Sequence, residues 1–156
     1  MVTLNAFERS PRLSEIKVSY RSRTNHAERK AIRVPIDAVE YLREVWDKDT
    51  LEFTEYFLII CLNADHQAVG WVKVSSGGFS AALVDPRVVF AIALQTASSA
   101  VILSHNHPSG SCEPSPEDIR LTKRLKEAGD LLGIRVLGHI ILTRDGALSF
   151  DERGLL

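Results

Sequence analysis

Seven consecutive apolar residues, Tyr56-Phe57-Leu58-Ile59-Ile60-Cys61-Leu62, stand between polar neighbours and constrain this chain more than any other stretch. A strand turns successive side chains to opposite faces, so an unbroken apolar run reads as a strand covered on both sides. Asn63-Ala64-Asp65-His66-Gln67 then reads as a turn and Ala68 to Val74 as a second strand, which makes the pair a hairpin. Upstream, Ile36, Val39, Leu42, Val45 and Trp46 recur at helical spacing, and Pro35 and Asp37 suit the first turn of that helix. Downstream, Ser75-Ser76-Gly77-Gly78 is a break, Pro86 opens an apolar helix to about Ala100, and Val101-Ile102-Leu103 is a short buried strand. Ser115 is placed as the N-cap of a further helix with Pro116 at its first position; Leu121, Leu125, Ala128 and Leu132 form its apolar face and Gly133 stops it. Ile134 to Leu142 returns as a strand, Arg144-Asp145-Gly146 turns, and Ala147 to Phe150 is a last short strand. Glu15 to Arg21 alternates as a half-buried strand would. The expected class is α/β, a mixed β-sheet flanked by helices.

A chain of 156 residues is long enough for one domain with a real core, and 45% apolar with 25% charged residues is the composition of an ordinary globular protein. No apolar run approaches the ~18 residues of a membrane span, so no membrane partner is expected. Met1 to Arg12 is mostly polar, without an apolar signal core, and a cytoplasmic location fits best. Cys61 and Cys112 lie in unrelated contexts outside any Cys-x-x-Cys pair and are expected to be free thiols. The net charge of −1 conceals an asymmetry: residues 1–34 hold eight Lys/Arg against three Asp/Glu, and residues 35–156 hold eleven against seventeen. We therefore divide the chain into a basic N-terminal extension, 1–34, and a domain, 35–156. Such an extension can contact DNA phosphates, or can be a solvated segment balancing an acidic body.

The chemistry is concentrated in Ser104-His105-Asn106-His107-Pro108-Ser109-Gly110 and the following Pro114-Ser115-Pro116-Glu117-Asp118. Residues i and i+2 of an extended segment point to one side, so His105 and His107 can converge on one point. Asp118, beyond a Pro/Gly/Ser-rich turn and near a helix start, can fold back onto it. Ser115 and Asp118 also fit a variant of the capping box, and an aspartate with two oxygens can serve both purposes. Three protein ligands without an evident fourth is the arrangement of a catalytic zinc site with water in the open position, so a metallohydrolase is expected.

His105-x-His107, seven residues, Ser115, two residues and Asp118 together resemble the JAMM (JAB/MPN) metalloprotease motif at every position. The fuller string, with Asn106, Pro108, Ser109, Gly110 and Pro114, is similar to the RadC branch of that family, and the likeness covers roughly Thr50 to the C-terminus. It implies a JAMM/JAB-MPN-like fold with zinc held by His105, His107, Asp118 and a water. It implies Glu55, directly before Tyr56, as the acceptor of that water's proton, with Glu52 as runner-up, and Ser115 as a stabiliser of the oxyanion. The implied activity is hydrolysis of a peptide or isopeptide bond in a protein or peptide substrate. RadC proteins commonly carry an N-terminal helix-hairpin-helix domain; residues 1–34 lack that pattern, so a stand-alone domain is expected. The family's link to DNA repair implies the alternative, a nucleic-acid-binding module or nuclease, and relatives that bind metal without turnover supply a third reading. RadC-like sequences often read Asp-His where this chain has Gly138-His139. His139 can therefore either support a ligand or pack as a strand histidine, and packing is the expected reading. His26 and His66 lie in polar segments and are expected to be solvated, and the family pattern assigns nothing to Cys112.

Overall fold

The computed structural model describes residues 25–76 and 84–156. The expected strand over 15–21, most of the basic segment 1–34, the Gly77-Gly78 break and the side chain of His26 lie outside the described residues. After a short 3-10 turn, His26–Glu28, come α1 (Pro35–Val45), β1 (Tyr56–Leu62), β2 (Ala68–Ser76), α2 (Pro86–Gln95), β3 (Ala100–Asn106), α3 (Pro116–Leu132), β4 (Arg135–Leu142) and β5 (Ala147–Ser149). The strands form one sheet in the order β2-β1-β3-β4-β5. β1 is antiparallel to both β2 and β3, β3 is parallel to β4 across the α3 crossover, and β4 is antiparallel to β5. The sheet is mixed and flanked by helices, as the pattern of apolar runs implies.

The parity of β1 builds both cores. Leu58, Ile60 and Leu62 pack with Ala38, Leu42 and Trp46 of the α1 side. Phe57, Ile59 and Cys61 pack with Val89, Phe90 and Ala93 of α2 and Leu125 of α3. Each fully buried Leu, Ile, Val or Phe among them contributes about 1.5–3 kcal/mol. The α1 stripe is displaced from the expected one: Ile36 is 58% exposed, and Ala38 takes the inward position. Asp37 closes the start of α1 by accepting from the Arg33 and Val34 amides at 2.8 and 3.1 Å. The chain joins the fold ahead of that helix, since Ala31 bridges to Gln67 and Ile32 is buried in the α1-side core.

Two boundaries differ from the sequence reading. α2 ends at Gln95 rather than near Ala100, because the Thr96 hydroxyl bonds back to the Ile92 carbonyl and Ala97 turns left-handed at φ 50°. β3 runs on past Leu103 through Asn106, because its ladder to β1 and β4 continues irrespective of side-chain polarity. His105 is therefore a strand residue, and His107 follows immediately. Cys61 and Cys112 are free thiols.

Candidate metal centre

β3 delivers His105 to the same sheet face as Val101 and Leu103, the face covered by α2 and α3. The first turn of α3 sits over that point. Ser115 caps the helix, its hydroxyl accepting from the Asp118 amide at 3.1 Å. In return Asp118 Oδ2 accepts from the Ser115 amide and the Ser115 hydroxyl, both at 2.7 Å. This reciprocal cap fixes the carboxylate and leaves Oδ1 turned to His105 Nε2 at 3.2 Å. His107 Nε2 lies 3.0 Å from His105 Nε2 and 3.6 Å from Asp118 Oδ2. The three side chains thus offer ligand atoms within one small sphere and can hold a metal ion.

Each imidazole is held from behind. His107 Nδ1 donates to the Ser111 carbonyl at 2.7 Å, so its Nε2 carries no proton in the neutral ring. His105 Nδ1 meets His139 Nε2 at 2.8 Å, and His139 Nδ1 meets the Thr122 hydroxyl at 2.6 Å. His139 is wholly buried, stacked on Phe150 with centroids 4.5 Å apart and edge-on to Phe57. The expectation that it merely packs holds only in part, because the same ring is also the partner of His105. Sequence leaves that supporting role open beside packing and names no partner for it, because 34 residues separate the two rings and only the parallel β3–β4 register joins them. The one local signal for it is Thr122, a helical turn after Asp118, whose hydroxyl meets the His139 ring.

Electrostatics follow from this packing. Burial opposes ionisation of Asp118, but the adjoining His105 and His107 rings, together with the Ser115 hydroxyl, override it and hold the carboxyl far below the usual carboxylate range. The bond to Asp118 raises the pKa of His107 above that of a free imidazole, against the opposing effect of burial. Desolvation pushes His139 well below its ordinary value, so it is neutral.

Phe57 pairs with His105 at the end of the β1–β3 ladder, and Glu55, two residues earlier, lies in the same cleft as His107. Glu55 lines a cleft of about 350 Å³ with Phe53, His107, Ser109, Ser111 and Glu113. Glu52, the runner-up, is instead ion-paired with Arg144 at 3.0 Å. Between the two histidines, Asn106 faces the opposite way: its carboxamide accepts from the Tyr56 amide and donates to the Leu51 and Thr54 carbonyls. Gly138 also lies on the face away from His139, where an added Cβ would approach Ile102 at 4.0 Å. A carboxylate at 138 would point away from the metal-facing groups. His66 is half-buried, in a left-handed turn, with Nε2 3.0 Å from the Arg135 guanidinium rather than free in solvent.

A mixed sheet whose central strand and crossover helix bring two histidines and an aspartate together defines a JAB-type domain with a candidate metal site. A family model described as the RadC-like JAB domain matches residues 32–155, and the chain belongs to that family. A UPF0758 protein of Alkaliphilus metalliredigens is 44% identical over 140 residues, 90% of this chain and 58% of the relative. UPF0758 proteins of Pelobacter propionicus and Listeria welshimeri are 50% and 42% identical over 65% and 79% of the chain, and over 44% and 54% of their own lengths. The chain thus spans about half the length of these relatives. No helix among the described residues is long and apolar enough to cross a membrane.

Proposed function

We propose that this domain is a zinc-dependent hydrolase of a peptide or isopeptide bond, with Glu55 as general base. The observation that carries the reading is the convergence of two imidazole nitrogens and a carboxylate at 3.0, 3.2 and 3.6 Å. Three electron-rich groups at that spacing repel one another unless a cation or a shared proton sits among them. Tetrahedral zinc, with bonds of about 2.0–2.1 Å, holds its ligands about 3.3–3.4 Å apart, and a two-histidine, one-carboxylate set suits a catalytic site. The donor atoms fit the ion in both number and kind.

A zinc ion bound there supplies Lewis acidity, lowering the pKa of a water from about 15.7 to about 7. The remaining work falls to the protein. In this reading Glu55, which lines the same cleft as His107, takes a proton and returns it to the leaving amine. Ser111 and Ser115 hold His107 and Asp118 in place. The Ser115 hydroxyl proton is engaged with Asp118 Oδ2, so an oxyanion role requires it to swing toward substrate as charge develops. The cleft presents Glu55 and Glu113, and no Lys or Arg among its described lining residues, which favours a peptide over a phosphodiester.

Metal content and turnover on peptide and isopeptide substrates test the reading together. Glu55→Gln should keep its zinc and lose about 10²–10⁴-fold in rate, whereas Asp118→Ala should lose the metal. Undiminished hydrolysis by Glu55→Gln removes that residue from the mechanism, and full zinc occupancy in Asp118→Ala removes the centre. The nucleic-acid alternative rests on the basic composition of residues 1–34. DNA binding that weakens with salt and vanishes when those residues are deleted would support it instead.

A further inference from the structure

Behind the metal-facing edge of His105 runs a buried chain of hydrogen bonds whose direction can be worked out from one end. The Asp118 main-chain carbonyl can only accept, so the Thr122 hydroxyl donates to it, at 2.6 Å. That commits the hydroxyl's single proton. In the 2.6 Å contact between Thr122 Oγ1 and His139 Nδ1 the ring must therefore be the donor. A neutral imidazole carries one N–H, so His139 Nε2 is a lone pair, and it accepts from His105 Nδ1 at 2.8 Å. His105 Nε2 is then bare, facing His107 Nε2 and Asp118 Oδ1. The circuit closes on one residue, since the Asp118 carbonyl sets the direction and its carboxylate meets the lone pair that results.

We propose that Thr122 and His139 are positioning residues that lock His105 in its Nδ1–H tautomer, holding the Nε2 lone pair toward the metal. The proposal rests on the metal-site reading above. Both residues are almost completely buried, Thr122 at 1% and His139 at 0% exposure, so no solvent competes for these bonds. Phe57 and Phe150 bracket the His139 ring and allow it little rotation. The competing explanation is that His139 only fills space between the two aromatic rings.

Substitutions that keep volume but change acceptor chemistry separate the two. His139→Leu removes the acceptor, whereas His139→Gln offers an amide oxygen to His105. Thr122→Val removes the hydroxyl at nearly constant shape, and Thr122→Ser restores it. Zinc affinity, measured by competition with a chelating dye at pH 8, should fall about 10–100-fold in His139→Leu and Thr122→Val. It should recover most of that loss in His139→Gln and Thr122→Ser. Nitrogen-15 NMR of the zinc-free wild type at pH 8 should show the His105 proton on Nδ1. Wild-type affinity in Thr122→Val and His139→Leu, or a His105 proton on Nε2 with Nδ1 bare, would overturn the relay. If His139→Leu does not fold, the Thr122 pair decides by affinity and the wild-type spectrum by tautomer. Failure of the wild type to bind zinc would instead sink the proposed function, and the zinc-free spectrum would still judge the relay.

Discussion

Asn106 shows how one side chain can bind the two halves of the site together. Its carboxamide is fully buried and fills three bonds at 2.7, 2.7 and 2.9 Å, all to the segment that leads into β1 and carries Glu55. Asn106→Ala leaves a buried amide and two carbonyls without that partner, at a cost of about 1–3 kcal/mol in stability. Since the histidines on either side are held by other groups, we expect zinc content to survive while hydrolysis falls. Metal analysis beside turnover checks this, and loss of both together would show that Asn106 supports the metal ligands rather than Glu55. The spacing of His105, His107 and Asp118 is legible because strand parity and helix capping are local. Asn106 belongs to the same string, yet its role is not legible there, since its partners lie 50 to 55 residues away.

α3 does two things with its first turn and two with its last. Ser115 and Asp118 cap the helix and in the same geometry aim the carboxylate, so the capping and metal readings of that pair are compatible. At the other end Gly133 takes φ 68° to stop the helix, and Gly129 lets β4 and α2 approach closely. A methyl at 129 would sit 2.4 Å from the Ile134 carbonyl oxygen and 3.1 Å from the Phe90 ring. Gly129→Ala should therefore cost about 1–3 kcal/mol and lower Tm by several degrees in a thermal melt. Zinc content should be unchanged, because the strain falls three turns from Asp118. Apolar periodicity located this helix and its stop. It placed the ends of α2 and β3 less well, because a left-handed Ala97 and a ladder continuing through polar side chains leave no hydrophobic signature.

The candidate centre joins β3 to α3 and, through His139, to β4, so ligand binding should stabilise the whole domain. Zinc at a hundred times its dissociation constant adds about 2.7 kcal/mol, or roughly 5–10 °C in Tm for a domain of this size. That gain should depend on pH. In the metal-free fold the bond to Asp118 raises the pKa of His107, a proton-linked stabilisation present below about pH 6.5 and fading as pH rises through the raised value. Zinc requires the unprotonated nitrogen, while Asp118 stays ionised throughout this range. The zinc-dependent rise in Tm should accordingly grow from pH 6 to pH 8 and be absent in Asp118→Ala. Equal shifts at both pH values would dissociate the stabilisation from His107.

Strand parity, the apolar run of β1 and the short spacing from His105 to Asp118 are properties of neighbouring residues, and they sufficed for a mixed sheet, two covered faces and a convergent ligand set. The pairing of His139 with His105, the anchoring of the Glu55 segment by Asn106 and the outward aim of position 138 depend on strand register and crossover packing. Local sequence carries periodicity and capping, whereas a hydrogen bond between distant residues exists only once the sheet order has set which side chains stand opposite each other.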